Sequence, residues 1–150
     1  MRLLSVSIVL AGMLCFSGCK KASPLVGTWE TQSSLVNVPL QSELTFDANG
    51  TFKDVTTSAK PGAPAKLTAT DTGTWKLEGN QLTTKVTDVD WQFTGSNPAF
   101  LQKARDRFLA NKDKILASAN EHPTETITWK GNDEFSYTDQ GKTDTFHRKQ

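Results

Sequence analysis

The feature that most restricts this chain is a series of short stretches rich in Thr, Val, Phe and Trp, each ended by turn residues. ELTFD at residues 43–47 alternates Leu44 and Phe46 on one face, turns at Ala48, Asn49 and Gly50, and returns as TFKDVTT at 51–57 with Phe52 on the same side. Asn and Gly both tolerate positive φ, so this reads as a tight hairpin. GTWKL at 73–77 and QLTTKV at 81–86 repeat the pattern around Glu78, Gly79 and Asn80, with Trp75, Leu77, Leu82, Thr84 and Val86 alternating. TITWK at 126–130, EFSYT at 134–138 and KTDTFHR at 142–148 add three more strands, and LVGTWET at 25–31 opens the set. Eight or nine strands joined in order form an antiparallel up-and-down sheet. Such a sheet has two exposed edges, and closing it into a barrel removes them.

Two segments interrupt the series. SAKPGAPA at 58–65 carries two prolines and a glycine, which do not fit a central sheet, and reads as a mobile loop. Residues 97–121 have helical character: Asn97 is placed to cap and Pro98 to take the first helical position. Leu101, Ala104, Phe108, Ile115 and Ala119 then form one apolar stripe, and the helix should close before His122 and Pro123. Asn111, Lys112 and Asp113 interrupt the stripe, so any break in the helix is expected there. Lys103, Arg105, Arg107, Lys112 and Lys114 outweigh Asp106 and Asp113. The apolar stripe is expected to cover the barrel with these charges in water; the other reading lays the helix on an anionic membrane surface.

The N-terminus has a different character. Arg2, an apolar run from Leu3 to Phe16, and the small residues Ser17 and Gly18 follow the layout of a secretory signal peptide, too short for a membrane span of about 20 apolar residues. Phe16-Ser17-Gly18-Cys19 resembles a bacterial lipobox, although Phe16 stands where Leu is usual. The resemblance implies cleavage before Cys19, a lipid on its thiol, and a membrane partner reached through that lipid. Cys15 would leave with the leader, so the mature chain would hold no free thiol or disulfide. Lys20 in the next position, by similarity to Gram-negative sorting rules, implies the outer membrane facing the periplasm. Residues 19–24 would be a lipidated tether, and residues 25–150 are long enough for a single domain with one core.

Gly27-Thr28-Trp29 in the first strand resembles the GxW signature of lipocalins, in which the Trp seals the closed end of an eight-stranded barrel. LVGTWE, LTFDANGTF, GTWKLEGNQLT and the terminal GNDEFSYTDQGKTDTFHR are together similar to the small bacterial lipocalin-like domains found on lipoproteins. The fold implied is an all-β, up-and-down, eight-stranded lipocalin-like barrel with one inserted α-helix. Its position within the strand series departs from the family, whose long helix usually follows the last strand.

Chemistry is sparse. His122 and His147 are the only histidines and neither has a second ligand at metal-binding spacing; no HExxH, GxSxG or phosphate-binding loop is present. No enzyme, cofactor or metal is expected. Asp88 and Asp90 would share one strand face, as a solvated rim or a cation site. The 17 basic and 16 acidic residues nearly balance, which gives no support for nucleic-acid binding. In a small barrel the aromatic side chains either fill the interior or shape it around a ligand. Trp29 is expected to be a plug. Phe46, Phe52, Trp75, Leu77, Trp129 and Tyr137 are the candidates for lining a cavity, with Tyr137 as its polar handle. The function expected is binding of a small apolar or amphipathic molecule. The alternative is a protein-interaction or envelope-assembly module with a filled barrel, such as an inhibitor of an envelope hydrolase.

Overall fold

The computed structural model describes residues 23–35, 38–58, 65–139 and 142–150. Residues 1–22, where the signal peptide and the lipobox cysteine Cys19 are expected, and the proline-rich centre of the 58–65 segment lie outside the described residues. Eight strands and one helix follow in order: β1 (Gly27–Leu35), β2 (Val38–Phe46), β3 (Thr51–Ser58), β4 (Ala65–Glu78), β5 (Gln81–Gly95), α1 (Pro98–Ser118), β6 (Thr124–Trp129), β7 (Glu134–Asp139) and β8 (Lys142–Arg148). Each strand pairs antiparallel with the next, and β8 returns to β1 to close a barrel. The up-and-down topology and inserted helix agree with the expectation.

Several strands are longer than their apolar alternation suggests. β4 starts at Ala65 rather than at 73, and β5 runs on to Gly95 rather than ending at 86. Residues 65–72 are largely Thr, Ala and Asp, which suit a pleated wall without marking a core face. In β5 the pairing with β4 slips between Thr72/Gly73. Beyond this bulge the buried positions change parity, from Leu82 and Val86 to Val89. Gly73 is required here: a Cβ would lie 2.0 Å from the Lys85 carbonyl oxygen and 2.8 Å from the Phe52 ring.

The two ends of the barrel differ. At the closed end Trp29 is fully buried and its Nε1 donates to the Leu25 carbonyl at 2.8 Å. Phe135 meets the Trp29 ring edge-on at 4.8 Å, Trp129 lies at 6.0 Å, and Phe146 stacks on Phe135 at 4.9 Å. The Arg148 guanidinium lies 4.1 Å from the Trp29 ring centroid and donates to the carbonyls of Val26 and Pro24 at 3.0 and 2.6 Å. Gly27 adopts φ +132°, and a Cβ on it would approach Arg148 Nη1 to 2.7 Å. The GTW triplet therefore works as a unit: Gly27 leaves room for the arginine that covers Trp29.

Toward the other end the wall opens at two seams. β1 and β8 pair only at Trp29–Arg148 and Glu30–His147. β5 and β6 pair only through Gln81–Thr83 and Thr124–Thr126. Above that point the Asn120 side chain substitutes for a strand: its Oδ1 accepts from Val86 N at 3.0 Å and its Nδ2 donates to Val86 O at 3.1 Å. Asn97 caps α1, its side chain accepting from Phe100 N at 3.1 Å, and Pro98 is in the first turn. α1 runs without a break through residues 111–113. Asn111 donates back to the Arg107 carbonyl at 2.8 Å and Lys112 reaches Asp88 at 2.7 Å, so these polar groups are accommodated on a continuous helix.

Candidate functional site

α1 packs along β5 through ring contact. Phe108, buried on the helix, stacks on Trp91 at 5.1 Å with only 16° between planes, and Phe93 meets Trp91 nearly edge-on at 6.3 Å. Between the two elements lies a groove of about 500 Å³ lined by these three rings with Phe100, Ala104 and Ile115, and bordered by Lys103, Arg107 and Asn111. It exists because the change of parity at the bulge keeps Val89, Trp91 and Phe93 on the side that the helix covers. Among the described residues Lys103 and Arg107 have no ion-pair partner, whereas Lys112 bonds Asp88. No described helix is long and apolar enough to cross a membrane.

A second space, of about 280 Å³, lies inside the barrel between Leu44, Phe46, Phe52, Leu82 and Val86. Its lining also includes Asp54, Asp71, His122, Glu125 and Tyr137. Asp54 on β3 and Asp71 on β4 are direct cross-strand partners. Burial, and then the neighbouring Asp71 carboxylate, push the Asp54 pKa from 3.8 up to about 7, against a hydrogen bond with Thr56. Burial raises Asp71 as well. Asp54 Oδ1 is enclosed and has no hydrogen-bond partner.

The expected cavity residues divide between this space and the closed end. Phe46, Phe52 and Tyr137 line the inner cavity. Trp75 packs edge-on to Phe46 at 5.2 Å and donates from Nε1 to the Asp47 carbonyl at 3.1 Å. Leu77 packs against the core, and Trp129 lies beside Trp29. Asp88 and Asp90 share the outer face of β5 and are exposed. The hydrogen bond from Lys112 holds the Asp88 carboxyl below its ordinary range. His147 lies 3.6 Å from Glu134 on the surface, while His122 borders the inner cavity. Among the described residues no group of three or more His, Cys, Asp or Glu is placed to hold a metal ion.

Asp54 and Asp71 were absent from the expected site, although the alternation carries their signal. Phe52 inward puts Asp54 inward two residues later, and Trp75 inward puts Asp71 inward through Gly73.

The closed eight-stranded antiparallel barrel, with its aromatic plug and single helix, is consistent with a lipocalin-like fold. Residues 25–98 match the family described as the lipocalin-like domain, a stretch running from just ahead of β1 to the first residue of α1. No curated protein matches the chain.

Proposed function

We propose that this is a lipid-anchored cell-envelope protein that binds a small amphipathic molecule in the groove between α1 and β5. The observation that carries the binding reading is the aromatic floor of Trp91, Phe93 and Phe108 beneath a border of Lys103 and Arg107. Ligand sites are mostly apolar concavities of about 300–1,000 Å³ with a few placed polar groups, and this groove has that composition. An acyl or aromatic body would lie on the rings while an anionic head met the two cations. The envelope location rests on the FSGCKK stretch at 16–21. The role is retention of a ligand rather than catalysis.

The test fills the groove from the helix side. Wild-type protein should bind laurate saturably, read by displacement of an environment-sensitive fluorophore. Ala104→Phe should abolish this while far-ultraviolet circular dichroism stays as in wild type. Lys103→Glu combined with Arg107→Glu should weaken laurate but spare dodecanol. Laurate binding unchanged in folded Ala104→Phe would remove the groove as the site. Phe100 and Leu109, 50% and 61% exposed on α1, would then favour the second reading, a helix face that contacts a protein.

A further inference from the structure

We propose that the inner cavity is a separate binding site for a small primary amine, whose ammonium group is held between Asp54 and Asp71. Like charges directly opposite on neighbouring strands destabilise a sheet, and a buried carboxylate oxygen without a donor adds to that cost. Here both occur at one place: Asp54 and Asp71 are register partners, and Asp54 Oδ1 is enclosed with no hydrogen-bond partner. A sheet arranged only for stability would have an apolar or hydroxyl pair at these positions, as Ser42 and Thr56 form at 2.6 Å on the neighbouring strands.

The cavity also restricts what can relieve the two acids. A neutral or anionic ligand leaves them uncompensated. Divalent cations such as calcium take six to eight oxygen ligands, and no suitable ligand group exists among the described residues. An ammonium supplies three N–H donors on a compact cation, which suits two facing carboxylates. The rings of Phe46 and Phe52 and the side chain of Leu44 offer an apolar surface for the rest of the molecule. At about 280 Å³ the space suits a ligand at the small end of the usual range. His122, Glu125 and Tyr137 are the other titratable groups on its lining. This site is distinct from the groove on α1: both border β5 but they share no lining residue, and it selects the opposite charge.

The experiment is calorimetric titration of the purified protein with 2-phenylethylamine and with 3-phenylpropionate, which is similar in shape but opposite in charge. The amine should bind with one-to-one stoichiometry and the acid should not. Asp54→Asn and Asp71→Asn should each weaken the amine by tenfold or more while leaving the circular dichroism spectrum unchanged. Affinity should rise between pH 5.5 and pH 8 as the Asp54 proton is lost, and His122→Ala should keep that profile. Ala104→Phe, which fills the groove, should bind the amine normally, so failure of one site is distinguishable from failure of the other. No binding of the amine, equal binding of the acid, or unchanged affinity in both Asn variants would each overturn the proposal.

Discussion

Replacing Asp54 with Asn should stabilise the protein at pH 8 and leave it nearly unchanged at pH 4. The Asp54 pKa rises from 3.8 to about 7 in the folded protein, chiefly because the cavity desolvates its charge. The folded state therefore holds the proton more tightly than the unfolded chain does. Between those two values the folded protein binds more protons, so stability falls as pH rises through the window and levels off above it. At 1.36 kcal/mol per pKa unit, the whole displacement corresponds to about 4 kcal/mol. Part of it belongs to the encounter with Asp71, so a single substitution should recover about 2–4 kcal/mol. Asn keeps the shape, carries no charge, and has an amide that Asp71 can accept from. The assay is urea unfolding followed by tryptophan fluorescence from pH 4 to pH 8 in wild type and variant. A wild-type stability that is flat or rises across this range would refute the reasoning. So would a variant whose profile runs parallel to wild type, because Asp54 would then not be the group that titrates.

Cys19→Ser should abolish incorporation of labelled fatty acid and leave the chain uncleaved or released in soluble form; equal labelling of the variant would remove the lipid anchor from the reading. Trp29→Ala should cost about 3–5 kcal/mol, as expected for deleting a fully buried aromatic ring, and an unchanged melting temperature would mean that the closed end does not depend on this ring.

The parts of the fold legible in the sequence were those written as alternation, turn chemistry and caps. Phe52 and Trp75 mark inward faces, and Asn97 with Pro98 marks the start of α1. The upper halves of β4 and β5 were hidden for two reasons. Their residues are mostly small or polar, and the bulge at Thr72/Gly73 changes the inward set midway, so no single period covers β5. Asp54 and Asp71 were hidden by a different rule, since acidic residues are rarely buried without partners and alternation alone does not mark an Asp as inward. Asp88 and Asp90 are near neighbours in sequence and share a strand face, yet both face solvent. The pairing of Asp54 with Asp71 depends on register across the 59–64 segment, which alternation on either side does not determine. Phe108 was on the expected stripe, but its stacking partner Trp91 lies beyond the bulge.

The arginine that covers Trp29 has a consequence for how the barrel stands at a surface. Arg148 binds the carbonyls of Pro24 and Val26, so the chain leaves toward its N-terminus from the sealed base. β2, β4, β6 and β8 start at the opposite end, where α1 follows β5. Ser23 is only four residue steps from Cys19, at most about 14 Å of chain at roughly 3.5 Å per step. With the lipid proposed at Cys19, the barrel would stand base-down on the bilayer and turn its helix toward the aqueous compartment. Cargo would then be exchanged with solution or with a soluble carrier, and the leaflet beneath would serve as a mooring rather than a source.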